Sequence, residues 1–518
     1  MKATETSVRA TPLAAEAASP VGSRWAWTIC AVAVLSGIGL RFANLGRESL
    51  WLDEGYTAWA VSNPVPEIIR IIRVDTAPPL FYILLRGWTH LFGFSEAALR
   101  SMSALMGSIG LLFFVGIARR LLKSPWAVAA AVSLFSFSFM QIAYAHEARF
   151  YAMMTMMGAI DLYLVLLVCE RSTILRLIAL CFAWSISLWT NNLMAVYLAG
   201  LGIGWLILPG ERTVMGRLKD AVIVTLISGL TFVPWVPAVL AQTRQIQSGF
   251  WPSAPDRWLL YRTIGVMAGV DEQSLPRGDW HRFFEVDVIL LCLTLLGFLT
   301  KSSRRAVVGM FSFGILPILL IFIYSRIGQS IFMERAFLAS GIAVPLLIVL
   351  PMKAGRPGRA LSMAAIVLFL YLSLRSIPNH RLGEHAEKWR EACAFAQSSN
   401  AAHRLIVCVS SDGEPLCRYY ACDRDYGPRT DVTAAPATFF ALDPPRTMQR
   451  IKSDRDLDGL RAKLALGGFD EVVLLSSHTF WADHTERALA MMKGELSETD
   501  EKYFTGVTVY RFKPSPQK

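Results

Sequence analysis

Two adjacent carboxylates, Asp53 and Glu54, follow the first long apolar run of this chain, inside Ser49-Leu50-Trp51-Leu52-Asp53-Glu54-Gly55-Tyr56. Trp51, Tyr56 and Trp59 surround them, and aromatics of that kind collect at membrane–water boundaries. A charged pair there is either a solvated loop face or a reaction centre at the bilayer surface. A second ionisable set, His146-Glu147-Ala148-Arg149-Phe150-Tyr151, falls in a short turn between two apolar runs. Ionisable groups at that depth cost free energy unless paired, which favours function over mutual neutralisation of Glu147 and Arg149. Asp75 precedes Thr76-Ala77-Pro78-Pro79, and Arg335 opens an apolar run within Phe332-Met333-Glu334-Arg335-Ala336-Phe337. Arg335 either snorkels to lipid headgroups or holds a phosphate, whose oxygens suit its guanidinium fork. Arg100 presents a weaker version of the same pattern.

The elements that position these residues are membrane helices. The chain has 518 residues and 54% hydrophobic content, with a mean hydropathy of +0.42. Apolar runs of roughly 17–25 residues recur, the length a helix needs to cross a bilayer. The expected spans are 25–45, 97–118, 125–144, 150–168, 174–190, 193–209, 220–240, 285–300, 306–323, 335–352 and 360–377, about eleven in all. Segment 78–93 is short and carries Arg86, Trp88 and His90, so it reads as an interfacial helix opened by Pro78-Pro79. That threading places Arg119-Arg120 and Lys123 inside. The basic turns at Arg171 and Arg176, at Arg212, Arg217 and Lys219, at Lys301, Arg304 and Arg305, and at Lys353, Arg356 and Arg359 then fall inside as well. The N-terminus is expected in the cytoplasm and the C-terminus outside. The net charge of +11 sits at the ends of apolar runs, a topology signal and not a nucleic-acid patch.

The expected organisation is a disordered N-terminal tail over 1–23, a membrane domain over 24–377 and a periplasmic α/β domain over 378–518. The last has apolar bursts at Leu405–Val409, Glu471–Leu475 and Val507–Tyr510, with a helical pattern over Leu457–Leu466. The eight cysteines form no CxxC, which argues against a metal knuckle. In an oxidising compartment a Cys417–Cys422 bridge is an option.

Ser49 to Glu54 with its following Tyr56, Pro78-Pro79-Leu80-Phe81-Tyr82 ending in Phe92-Gly93, Arg100-Ser101-Met102-Ser103-Ala104, Ala145 to Tyr151 and Glu334-Arg335-Ala336-Phe337 together resemble GT-C glycosyltransferases. Within these they look like the bacterial branch of the protein mannosyltransferase family, which is itself similar to the aminoarabinose transferases (glycosyltransferase family 39 type). The resemblance covers roughly 25–380. It implies an all-α polytopic membrane protein acting on a polyprenyl-phosphate-linked sugar at the periplasmic face of a bacterial inner membrane. The acceptor would be a lipid, polysaccharide or protein hydroxyl. By the same resemblance Asp53 is the base, Glu54 orients it or holds an ion, and Glu147 is a second acid. Arg149 and Arg335 neutralise the phosphate, with Tyr56, Asp75 and Tyr151 beside the substrate. Family members often carry a His near Asn191-Asn192 and another before Pro78. Neither is present here, so no divalent metal is assigned, although Asp53, Glu54, His146 and Glu147 have ligand chemistry. A flippase for a lipid-linked sugar is the competing reading; it needs ionisable groups within spans, where Asp161 is the main candidate. A silent scaffold for envelope partners is the third.

Overall fold

The computed structural model describes residues 20–247, 252–271, 281–381, 387–409, 413–421, 437–441, 454–479, 483 and 486–514. The tail expected over 1–23 lies outside these as far as residue 19, and the first helix already starts at Pro20.

Among the described residues six helices are long and apolar enough to cross a membrane: Gly22–Phe42, Glu96–Leu121, Tyr151–Glu170, Val214–Gln247, Arg304–Ile327 and Glu334–Ile377. The pair Pro125–Ser136 and Phe139–His146, bent by 53°, would make a seventh, and Ile174–Thr190 and Met194–Ile207 are shorter apolar helices. The chain is therefore a mostly helical multi-pass membrane protein. The difference from eleven has physical sources. Two expected spans fall within 334–377, on either side of Gly355, where the backbone turns at φ 82. The helix His281–Leu299 carries Arg282, Glu285 and Asp287. Two further expected spans are the shorter helices.

Small residues let the helices approach closely. A Cβ on Gly110 would meet Met156 Cα at 3.2 Å, which brings Glu96–Leu121 against Tyr151–Glu170. The break after Ser136 frees backbone carbonyls, and buried Arg41 takes them. Its guanidinium donates to Ser136 O at 3.1 Å, Phe135 O at 3.5 Å and Gly37 O at 2.9 Å. The turn His146–Arg149 that follows is packed against the helix Glu96–Leu121 and the helix Leu52–Ser62, which carries Asp53, with Ala148 and Arg149 buried. At the other end Lys353 donates to Leu121 O at 3.1 Å and Arg120 pairs with Glu170 at 3.2 Å, so basic turns gather there.

The stretch 46–96 is helical, with Leu52–Ser62, Val65–Ile72 and Leu80–Phe92 in turn. At 1.5 Å per residue the 13 residues of Leu80–Phe92 reach about 20 Å, too short to cross about 30 Å of hydrocarbon. Gly93, with φ 83, ends this helix where other residues would be strained.

The C-terminal part carries a five-stranded sheet in the order β2-β1-β3-β5-β4, formed by β1 (Arg404–Cys408), β2 (Ala437–Ala441), β3 (Glu471–Ser476), β4 (Leu496–Phe504) and β5 (Val507–Pro514). β1 pairs in parallel with β2 and β3, while β5 runs antiparallel to β3 and β4. Alternate residues face opposite ways. Leu405, Val407, Val472 and Leu474 join Leu460 and Met492 in a separate small core. Ile406, Val473 and Val509 continue through Trp389 and Ala392 into the core of the membrane helices. One face of the sheet is thus fastened to the bundle. Cys417 is disulfide-bonded to Cys408 at the end of β1 and not to Cys422, which lies outside the described residues.

Candidate active site

Asp53 stands in the first turn of the helix Leu52–Ser62, where the helix dipole favours an anion. Its Oδ2 lies 3.2 Å from Arg335 Nη1 and 4.0 Å from Arg149 Nη2. The Asp53 side chain is 27% exposed and that of Arg335 22%, so the pair sits at an edge open to solvent. Arg335 also lies over the rings of Trp51 at 5.4 Å and Tyr151 at 5.9 Å. Arg149 is buried; its Nη1 donates to Tyr82 Oη at 3.1 Å and Thr57 Oγ1 at 3.3 Å. Tyr82 in turn donates to Asp75 Oδ2 at 3.0 Å. A continuous polar chain therefore runs from Asp75 through Tyr82 and Arg149 to Asp53 and Arg335.

Glu54 points elsewhere. It is fully buried and takes a two-pronged contact from Arg100, Nε to Oε1 at 2.8 Å and Nη2 to Oε2 at 2.6 Å. Its oxygens also accept from Ala148 N at 2.8 Å and Trp51 N at 3.3 Å. These contacts occupy both oxygens of Glu54. Glu54 ties the Asp53 helix to the helix Glu96–Leu121 and to the turn that carries Glu147 and Arg149.

Glu147 lines a cavity of about 280 Å³ together with Trp51, Tyr144, His146, Arg47 and Arg335. Its Oε2 is buried and has no hydrogen-bond partner among the described residues. Burial, reinforced by the negative charges of Glu54 and Asp53 against the opposing Arg335 and Arg149, pushes its carboxyl up to about 8. Glu147 thus holds a proton at neutral pH. His146 Nε2 sits 2.9 Å from Leu40 O. Among the described residues no group of three or more His, Cys, Asp or Glu is arranged to hold a metal. Asn192 donates to Thr76 O and Gln242 Oε1, both at 3.0 Å, and so anchors the segment next to Asp75. Tyr56 packs on Trp59, and Tyr151 on Tyr144 and Phe150.

The C-terminal part closes over the start of the same helix. Glu387 Oε2 accepts from Leu52 N at 3.2 Å, and the Glu387 carbonyl accepts from Ser49 Oγ. Tyr420 Oη accepts from Leu50 N at 2.6 Å and donates to Glu96 at 3.2 Å. Leu416 lies so near Gly55 that a Cβ there would come within 2.4 Å of its Cγ.

Residues 76–237 match the family described as dolichyl-phosphate-mannose-protein mannosyltransferase. Over nearly its whole length the chain superposes on ArnT from Cupriavidus metallidurans in the apo state, with TM-score 0.56 and 14% identity over 95% of this chain and 98% of that one. ArnT bound to undecaprenyl phosphate superposes with the same TM-score and identity, over 94% and 98%. The chain has the GT-C fold. The Archaeoglobus fulgidus oligosaccharyltransferase, in complex with Zn and sulfate, aligns more weakly, at TM-score 0.49 and 11% identity over 93% of this chain and 72% of that one. No curated protein matches the sequence.

On this GT-C frame Asp53, Asp75, Arg149, Tyr151 and Arg335 meet at one locus with Glu147 beside them, while Glu54 supports it from behind. Sequence reasoning missed Tyr82, Glu387 and Tyr420. Tyr82 lies in a quoted motif, and its hydroxyl on an otherwise apolar interfacial helix is a usable signal. Glu387 and Tyr420 stand far along the chain in polar sequence, and nothing local marks them.

Proposed function

We propose that this protein is an integral-membrane glycosyltransferase that moves a sugar from a polyprenyl-phosphate donor to a hydroxyl of the cell envelope. The observation that carries this reading is Asp53 held between Arg149 and Arg335, of which Arg335 also lines the largely polar cavity that holds Glu147. One carboxylate between two guanidiniums leaves positive charge in excess, which suits a phosphate. As the acceptor oxygen bonds to the anomeric carbon, the bond from that carbon to the phosphate oxygen breaks. Asp53 takes the acceptor proton, and the arginines stabilise the charge gathering on the departing lipid phosphate. Glu147, with its carboxyl raised to about 8, is mostly protonated at neutral pH and donates a hydrogen bond to the donor. Undecaprenyl phosphate, the lipid bound by ArnT, has the headgroup chemistry this site would take.

The eleven-span threading, with the basic turns in the cytoplasm, puts this chemistry on the periplasmic face of a bacterial inner membrane. In the same reading the units are the membrane part, 24–377, and the sheet-bearing part, 378–518. A flippase is disfavoured because the buried intramembrane acid Asp161 is bonded to Ser187 at 2.5 Å and forms no polar path. The test uses purified protein in lipid nanodiscs with polyprenyl-linked donor extracted from cells and an envelope extract as acceptor. Free polyprenyl phosphate is expected to appear in step with the glycosylated product. Donor movement between leaflets without that release would overturn the reading.

A further inference from the structure

We propose that Glu387 is a positioning residue for Asp53, acting through the first backbone amide of the Asp53 helix and steadied by His478; this rests on the reading of Asp53 as the base. The helix Leu52–Ser62 has Trp51 at its N-cap, whose side chain cannot accept a hydrogen bond. One of the free amides at the helix start is met instead from the far end of the chain. Glu387 Oε2 accepts from Leu52 N at 3.2 Å and from Trp389 Nε1 at 2.7 Å, and its carbonyl accepts from Ser49 Oγ. A carboxylate on the first free amide of the helix makes a charge-assisted bond, lies at the positive end of the helix dipole and fixes the entry angle of the helix. Asp53 follows Leu52 directly, so that angle sets where its carboxylate lies against Arg149 and Arg335.

The seat of Glu387 is built by the sheet. A Cβ on Gly506, whose φ is 80, would lie 2.8 Å from Glu387 Cγ, so only glycine lets this turn close over the side chain. Ser477 Oγ donates to Gly506 O and sits 2.7 Å from His478 Nδ1. His478 Nε2 then reaches Glu387 Oε1 at 3.3 Å. His478 takes a left-handed backbone with φ 52, a conformation that a β-carbon disfavours and that collects at functional positions. The charged and titratable groups facing Glu387 are His478 from the sheet side and Asp53 from the helix; burial is the main influence raising its carboxyl, and His478 opposes it.

The experiment uses the full chain in nanodiscs and measures binding of undecaprenyl phosphate, sugar transfer against pH, and thermal stability. Glu387→Gln is expected to bind undecaprenyl phosphate within about twofold of wild type, because both arginines remain, while transfer falls about tenfold, the equivalent of one charge-assisted hydrogen bond. Glu387→Asp should recover part of the rate. His478→Asn, chosen because Asn tolerates the left-handed backbone, removes the imidazole that steadies the Glu387 carboxylate. Its acid limb of transfer should therefore move to higher pH. A wild-type rate and pH profile in Glu387→Gln would overturn the inference. So would equal losses of binding, transfer and stability, which would make Glu387 only a tether. Wild-type transfer by Asp53→Asn would instead sink the reading of Asp53 as the base.

Discussion

Arg335 Nη1 lies 3.2 Å from Asp53 Oδ2, and Arg149 approaches the same oxygen at 4.0 Å. Two cations converge on one acid at a site open to solvent. The acid keeps the guanidiniums aimed at one point, and an entering phosphate would draw them away and leave Asp53 ready to accept a proton.

Arg335→Ala is expected to weaken binding of undecaprenyl phosphate by roughly 10–100-fold, the worth of a charge-assisted contact. Arg335→Lys should recover only part of it, since an ammonium lacks the planar fork. Titration of the lipid against protein in nanodiscs measures both, and unchanged affinity in Arg335→Ala would remove Arg335 from the phosphate site.

Breaking the Glu54–Arg100 pair should be a stability defect first. Glu54→Gln or Arg100→Ala leaves a buried, uncompensated partner, at a cost of about 3–5 kcal/mol. Thermal unfolding followed by size-exclusion chromatography should show the loss. If either variant kept wild-type stability and lost only transfer, Glu54 would return to the catalytic group.

The protonation of Glu147 gives a pH signature. Its carboxyl is raised to about 8 in the folded chain from the ordinary value of 4.5, so the folded state binds more protons between those values. Stability therefore falls as pH rises through that window, and below it the group makes no difference. Glu147→Gln should flatten the pH dependence of the unfolding temperature there. It should also lift the loss of transfer above about pH 8, where ionised Glu147 repels the donor phosphate. Parallel wild-type and variant curves would mean that Glu147 is ionised throughout.

Gly55→Ala should push the Asp53 helix off Leu416 and cost about 1–3 kcal/mol together with most of the transfer activity. Adding Leu416→Ala makes room and should restore transfer. Failure of the second substitution to rescue would show that Gly55 matters for another reason.

Asp53, Arg149 and Arg335 were legible in the sequence because ionisable groups at a membrane boundary need a partner or a task. The strands were legible as apolar bursts in polar sequence. Three features were not. Glu54 and Asp53 are adjacent and chemically alike, and only packing decides which of the two meets Arg100. The break at Ser136–Phe139 carries no Pro or Gly, because Arg41 from another helix takes up the freed carbonyls. Glu387 works through a contact between distant segments, which no local pattern records.

The most direct measurement is sugar transfer by Asp53→Asn beside its binding of undecaprenyl phosphate, in protein shown to be folded. Transfer is predicted to fall by at least about 100-fold, the scale of a lost general base, while the lipid still binds. Transfer at the wild-type rate would contradict the account.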